Sequence, residues 1–264
     1  MLAATRRMRI SQMIAEDGQV QVSELAKQLQ VSDETIRRDL MELEQQGILQ
    51  RNYGGAILTH LGQETLPPLE ARQSVHQREK ALIGRLAATL VGEGQVAILD
   101  AGSTTRQVAR FLRTVPHLTV ITNDLTIADE LRSAKGIQVM VTGGYLKPRS
   151  RSLIGPEAVA AVRRYHADIA IIGATGISLE RGMTASDIFE AEIKSAILQS
   201  ARRRVVVADH SKLGHAHLAT FAPAESIGCL VTGWQAPAPL VNSLMGLGVE
   251  VLLTKRPEHR DERK

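Results

Sequence analysis

Aromatic side chains are scarce in this 264-residue chain: one Trp, three Tyr and three Phe, 3% of the total. A core that lacks them must be built from Val, Ile, Leu and Ala, which suits a sheet buried between helices. There is one cysteine, Cys229, inside the apolar run from Ile227 to Val231. A single thiol excludes an internal disulfide; it reads as a buried spectator and fits a reducing compartment. No stretch approaches 18 uncharged apolar residues, which argues against a membrane-spanning helix. Arg6, Arg7 and Arg9 lie near the amino terminus, but Gln12, Glu16 and Asp17 interrupt before any long apolar run. No signal peptide is expected, and the expected location is the cytoplasm. Strong net charge is missing too: the formal value is +4, which permits nucleic-acid binding without demonstrating it.

What is present is ordinary for a globular protein, with 44% hydrophobic and 23% charged residues. The length suits a small domain joined to a medium one. Residues 5–17 read as a helix with Met8, Met13 and Ile14 on its buried side and Ile10 beside them, stopped by Gly18. After Val20 and Val22, Ser23 is placed to cap a second helix whose inner face is Leu25, Ala26 and Leu29. A third helix is predicted from Asp33 to Gln45 with Ser32 as its N-cap. Ile36, Leu40 and Leu43 recur at i, i+4 and i+7 and face inward, so Arg37 and Arg38 project near the helix start. That is where a recognition helix meets bases and phosphates. Asp39 either orients an arginine or sits on the solvated side. Gly47 ends the helix. A hairpin, or wing, follows through Ile48, Leu49, Tyr53, Gly54 and Ala56, with Arg51 placed to touch a phosphate or the minor groove. Residues 1–59 hold seven Arg/Lys and eight Asp/Glu, so any DNA contact must come from local placement of charge.

Residues 59–73, with Gly62, Pro67 and Pro68, lack a coherent period and read as a linker. A helix is predicted over 76–91, with Lys80 near its start; Lys80 reads as a solvated surface lysine, with neutralisation of a ligand phosphate as the alternative. Strands and helices then alternate. Strands are predicted at 96–99, 120–122, 139–141, 169–172, 205–208, 227–231 and 249–253, and helices up to Leu112, up to Leu131, from Pro156 to Arg164, from Ile188 to Leu198 and around 240–247. The pattern is α/β with a mainly parallel sheet. Polar residues gather just past the strand ends, the edge where open α/β sheets bind ligands. Gly102, Ser103, Thr104 and Thr105 follow the first strand and open a helix. Glycine admits an anion to the backbone, the helix start offers free amides, and the hydroxyls add donors. The same residues also serve as an ordinary capped turn. Glu190 and Lys194, four apart, read either as pocket groups or as a stabilising surface pair. Lys212 is placed to pair with a phosphate and Asp209 to accept sugar hydroxyls.

Particular residues carry a resemblance. Val31-Ser32, Thr35-Ile36-Arg37-Arg38-Asp39-Leu40 and Gly54-Gly55-Ala56 make residues 19–56 resemble the N-terminal winged helix-turn-helix domain of the DeoR family of bacterial regulators. Residues 78–254 resemble the sensor domain of that family through Asp100, Gly102–Thr105, Thr122-Asn123, Gly143-Gly144, Gly176, Gly182, Thr184, Glu190, Lys194, Asp209, Ser211-Lys212 and Gly214. That sensor is itself similar in fold to ribose-phosphate isomerases and coenzyme A transferases. Three departures stand out: Asn52-Tyr53 where Val-His is usual, Ser103 where threonine is usual, and Thr232-Gly233 where Thr-Asp is common, which removes a carboxylate.

The resemblance implies an N-terminal winged helix-turn-helix domain (1–58), the linker (59–73), a Rossmann-like α/β sensor (74–256) and a charged tail (257–264). It implies that Ser32, Thr35, Arg37, Arg38 and Arg51 face double-stranded operator DNA. It also implies that Asp100, Gly102, Ser103, Thr104, Thr105, Asn123, Lys194, Asp209 and Lys212 shape a site for a phosphorylated sugar or related effector. The expected protein is a homodimer or higher homo-oligomer acting as a repressor of carbohydrate catabolism genes, without catalytic residues, cofactor or membrane association. The alternative is a sugar-phosphate isomerase-like enzyme fused to a DNA-binding domain; Glu190 and the aspartates keep it open, but the tight acidic constellation of the isomerases is missing. His210, His215 and His217 are close in sequence and read as a solvated loop, so no metal is assigned.

Overall fold

A computed structural model describes residues 2–17, 19–45, 49–52, 54–58 and 74–256. The chain forms two compact units, Met1–Leu66 and Pro67–Lys264. The expected helix stops at Gly18 and Gly47, the wing residues Ile48 and Tyr53, the linker and the charged tail lie outside the described residues.

The first unit contains helix α1 (Ala3–Asp17), strand β1 (Gln19–Gln21), helices α2 (Val22–Leu29) and α3 (Asp33–Gln45), and strands β2 (Leu49–Asn52) and β3 (Gly55–Leu58). Ile10, Ile14, Leu25, Ile36, Leu40, Leu43 and Leu49 form its core, each at most 1% exposed. Met13 is only half-buried, and the side chain of Met8 is not described. The third helix has the predicted limits because Ser32 caps it: Ser32 Oγ accepts the Thr35 amide at 3.3 Å. The second helix differs from expectation. It begins at Val22, and Ser23 is not its cap. The reason is the wing: Val22 donates its amide to Gly54 O at 2.9 Å, so a hairpin carbonyl satisfies a helix-start amide. β1 also pairs with β3, giving an antiparallel sheet in the order β1-β3-β2 rather than a lone hairpin.

The second unit starts with helix α4 (Gln77–Ala88), three residues shorter at its end than the sequence suggests. It continues through β4 (Val96–Leu99), α5 (Ser103–Leu112), β5 (Leu118–Thr122), α6 (Leu125–Leu131), β6 (Ile137–Val141), β7 (Tyr145–Lys147), β8 (Ser152–Ile154), α7 (Pro156–Val162), β9 (Ala167–Gly173), β10 (Gly176–Ser178), β11 (Gly182–Ala185), α8 (Ile188–Gln199), β12 (Ala201–Ala208), β13 (Ala219–Ala222), β14 (Cys229–Thr232), α9 (Ala238–Gly246) and β15 (Glu250–Leu253). Seven strands form one sheet in the order β15-β14-β12-β9-β4-β5-β6, and every pairing within it is parallel. Its central strands are apolar on both faces, as expected of a sheet covered on both sides. Cys229 lies buried in β14. The sequence reading missed the β7–β8 hairpin and the small antiparallel sheet β10-β11-β13.

The strand order positions a site. From β4 the chain steps outward through β5 and β6, then returns to the other side of β4 and runs through β9, β12, β14 and β15. The direction reverses between β4 and β9, so the two outgoing connections diverge there and leave a crevice beyond the strand ends.

Candidate functional site

In the first unit, α3 buries Ile36, Asp39, Leu40 and Leu43 and exposes Arg37 and Arg38. Ser32 is exposed and Thr35 half-buried, their hydroxyls 2.9 Å apart at the start of the same helix. Asp39 is 3% exposed, which excludes a solvated position. It accepts from Arg6 Nε at 2.5 Å and from Nη2 at 3.3 Å, a two-point pair that ties α1 to α3. Arg7 reaches Glu42 at 2.8 Å. Arg51, placed by its position in the wing to touch a phosphate or the minor groove, is tied to Glu44: its Nε lies 2.6 Å from Oε2 and its amide 2.9 Å from Oε1. These bonds, from the Arg51 backbone first and its side chain second, hold the half-buried Glu44 carboxyl below its ordinary value.

The near-zero net charge of this unit is therefore unevenly used. Asp39, Glu42 and Glu44 on α3 neutralise arginines that hold the fold together. Among the described residues no ion pair engages Arg37 or Arg38, which stand side by side on the exposed face of α3.

In the second unit, Asp100 leaves β4 and Gly173 ends β9, on either side of the direction reversal. The Asp100 carboxylate is 1% exposed; it accepts from the Gly173 amide at 3.1 Å and from Lys194 Nζ. Lys194 also donates to Gly173 O at 2.9 Å. Burial pushes the Asp100 carboxyl up, against the pull of Lys194. Lys194 is thus a crevice residue and not half of a surface pair. Glu190, one turn earlier on α8, accepts from Ser186 Oγ at 2.7 Å and from Lys147 Nζ at 3.0 Å; Lys147 also binds Asp187 at 2.5 Å. Burial alone would raise Glu190, but Lys147 and Lys194 outweigh it and hold the carboxyl at about 2. Burial and the neighbouring Glu190 push Asp187 the other way.

Gly102, Ser103, Thr104 and Thr105 open α5 beside this crevice. The amides at the start of that helix have no intrahelical acceptor. Thr105 is fully buried and spends its hydroxyl on Gly102 O at 2.9 Å, so it shapes the turn; Ser103 is the more exposed hydroxyl. Asn123 is also structural in its contacts. Its Oδ1 accepts the Ala101 amide at 3.0 Å and its Nδ2 donates to Leu153 O at 3.2 Å, clamping the loop after β4 to β8.

Asp209 follows β12. Its Oδ1 accepts the amide and hydroxyl of Ser211 at 3.1 and 2.5 Å. Its buried Oδ2 has no hydrogen-bond partner among the described residues, and Lys80 Nζ stands 3.5 Å away. Burial would raise this carboxyl, but Ser211, Lys80, Lys212 and His76 together lower it. Lys80 is 4% exposed, which corrects the reading of a solvated lysine. The packing of α4 against β12 carries it inward, its ammonium held by Val75 O at 2.6 Å. Lys212 is half-buried on a short 3-10 turn whose start Asp209 caps. Sequence reasoning also missed Glu79 and Lys147. Glu79 is 5% exposed and accepts the amide and Nδ1 of His210 at 2.8 and 2.7 Å, across 131 residues of chain.

With this geometry in hand, comparison with known proteins gives the following. Residues 6–61 match the family described as DeoR-like helix-turn-helix domain, and residues 75–233 the family described as DeoR C terminal sensor domain. The HTH-type transcriptional repressor GlcR of Bacillus subtilis (strain 168) is 35% identical over 97% of this chain and 98% of its own length. The glycerol-3-phosphate regulon repressor of Escherichia coli (strain K12) is 30% identical over 88% of this chain and 90% of its own. A ribose 5-phosphate isomerase from Methanocaldococcus jannaschii overlaps 52% of this chain and 54% of its own, at 18% identity and a TM-score of 0.38.

Proposed function

Because this chain belongs to the DeoR family of transcriptional regulators, we propose that it is a cytoplasmic repressor of carbohydrate catabolism genes, released from or fixed to its operator by a phosphorylated sugar or a related intermediate. It works as a homodimer or higher oligomer, because paired recognition helices match repeated operator half-sites. The observation that carries the DNA-binding half is the exposed pair Arg37 and Arg38 on the start of α3, without an ion pair among the described residues while Arg6, Arg7 and Arg51 are tied to carboxylates.

The effector half is supported by the crevice at the sheet reversal. A helix start and the Ser103 hydroxyl suit a phosphate. Asp100, Lys194, Asp209 and Lys212 supply charge of both signs within the same rim, and the unpartnered Oδ2 of Asp209 suits a sugar hydroxyl. Such a ligand acts by binding, not by turning over: the acidic groups that would serve as acid and base are committed. Asp100 is locked to Lys194 and Gly173, and Glu190 to Lys147 and Ser186. The name of the glycerol-3-phosphate regulon repressor fits an effector of this class.

The test is a gel-shift titration of DNA from the chain's own upstream region, with and without a panel of phosphorylated sugars. Two arginines reading bases at ~1–3 kcal/mol each should make the Arg37→Ala/Arg38→Ala variant bind at least ~30-fold more weakly, while a circular dichroism spectrum stays unchanged. Unchanged affinity refutes the recognition-helix assignment. A panel in which no phosphorylated sugar alters the wild-type shift refutes the effector class.

A further inference from the structure

Where the sequence reading placed a histidine cluster at 210–217, the fold assembles a different one. His215 and His217 point to solvent. His76, at the start of α4, Glu79 one turn along, and His210, just past β12, each offer a ligand atom within 4.8 Å of the other two. The two imidazole rings meet edge to face with centroids 4.7 Å apart. We propose that His76, Glu79 and His210 form a binding site for a divalent transition-metal ion of the zinc type.

The donor set suits such an ion. Two imidazole nitrogens and one carboxylate oxygen are borderline ligands that favour zinc and its neighbours over magnesium or calcium. Three protein ligands leave a coordination position to water or to an oxygen of a bound molecule. Tetrahedral bonds of ~2.0–2.1 Å hold ligand atoms roughly 3.4 Å apart, so the three groups need only a small closure, and His76 is exposed and free to turn. His210 binds through Nδ1, which lies 2.7 Å from Glu79 Oε2, so the ion takes the place of the proton that joins them while Glu79 Oε1 keeps the His210 amide at 2.8 Å.

Three further features converge on this place. Glu79 is 5% exposed, and among the described residues its hydrogen bonds go to the amide and ring of His210. A neutral imidazole leaves that carboxylate's charge uncancelled in a poorly solvated position, whereas a bound dication cancels it. His76 holds the left-handed conformation, φ 55°, where a helix N-cap is ordinarily extended. Strain of this kind persists at sites that use it. Finally, a Cβ at Gly233 would stand 2.0 Å from Glu79 Oε1. Gly233 is the position at which this chain departs from the Thr-Asp of the family it resembles. A glycine at 233 leaves open the space that the Glu79 carboxylate occupies.

The experiment uses the full chain, stripped with a chelator and titrated with zinc ion against a chromophoric competitor, with neither DNA nor sugar present. Its outcome is therefore separable from that of the effector reading. The expected result is one tightly held zinc per chain, with His76→Ala and His210→Ala each weakening binding at least ~10-fold and His215→Ala/His217→Ala leaving it unchanged. Cobalt substituted for zinc should show the intense visible bands of a four-coordinate ion, lost in His76→Ala. His76 is exposed and its removal leaves the fold intact, as circular dichroism will verify. Absence of stoichiometric zinc, equal affinity in His76→Ala, or loss of binding in the His215→Ala/His217→Ala variant overturns the proposal.

Discussion

Asp209 shows how a single side chain is set for a task by its surroundings. It is 1% exposed, yet Ser211, Lys80, Lys212 and His76 more than offset the cost of burial and lower its carboxyl from the ordinary value of 3.8. A group whose folded value is depressed stabilises the fold above the unfolded value and loses that contribution as pH falls through the folded one. Asp209→Asn removes the negative charge that faces the buried Lys80 ammonium at 3.5 Å, a cost of up to about 3–5 kcal/mol at neutral pH. The lead of wild type over this variant in chemical denaturation should therefore be full at pH 7, shrink once pH drops below about 4, and keep shrinking beneath it. A gap that stays constant from pH 7 to pH 3 contradicts the assignment. Individual residues were legible in the sequence where their role is local. Ser32 caps the helix that its position announces, and Arg37 and Arg38 emerge on the face opposite Ile36, Leu40 and Leu43. Asp100 and Asp209 lie where strand ends place them, and Lys194 lies on the helix that the 188–198 apolar pattern announces. Lys80, Glu79 and Lys147 were not legible, because what defines each is a partner 40 to 131 residues away. No spacing rule encodes such a contact, and an isolated lysine or glutamate near a helix start is indistinguishable from a solvated one until the sheet is assembled.

Among the elements, the pairing of α4 with α5 shows where local preference and packing oppose each other. Gly84 sits in the middle of α4, where alanine is normally better by about 0.5–1 kcal/mol. A Cβ there, however, would lie 2.6 Å from the backbone carbonyl carbon of Gln107 and 2.9 Å from the Val108 amide. Backbone atoms of α5 cannot swing aside as a side-chain tip would, so the helices must separate, at a cost of about 1–3 kcal/mol or more. Gly84→Ala should destabilise the second unit even though propensity alone predicts the reverse. Gly246→Ala, at the end of α9 with nothing within 4 Å of the added carbon, should be neutral or stabilising by up to about 1 kcal/mol. Thermal melts of the two variants in parallel decide the matter; a rise in Tm for Gly84→Ala refutes the close approach. Elements of seven or more residues with an apolar stripe were readable from sequence, α3 and α8 nearly to the residue. The strands of the parallel sheet were readable as apolar runs, β4 with its observed limits; the starts of β5, β6, β9 and β12 were placed late, because Leu118, Ile137, Ala167 and Ala201 open strands before the dense apolar run begins, and those of β14 and β15 were placed one or two residues early. β7, β8, β10, β11 and β13 have three or four residues each, too few to show an alternation, and β13 pairs with β11 only after α8 and β12 have intervened.

For the molecule as a whole, the two units carry separate chemistries: exposed cationic side chains on α3 in one, and charged groups at a sheet reversal in the other. If the second controls the first, the coupling between them is a free energy, and it must be the same read from either end. An effector that weakens operator binding by a given factor must itself bind more weakly to the DNA-bound protein by that factor. Regulatory couplings of about 1–3 kcal/mol correspond to changes of roughly 5–150-fold, well within reach of paired titrations: operator affinity with and without saturating sugar phosphate by gel shift, and sugar-phosphate affinity with and without operator by calorimetry. Lys212→Ala, which removes a half-exposed cation of the second unit beside Asp209, should weaken the sugar-phosphate titration while leaving operator affinity in the absence of ligand unchanged. Arg37→Ala/Arg38→Ala should do the opposite, keeping the calorimetric isotherm of the free protein and losing the shift. If both variants lose both activities, the two units do not divide the work in this way. If the two coupling factors differ, the ligand acts on something other than the equilibrium between DNA-bound and free protein, such as the assembly of the oligomer that presents paired helices to the operator.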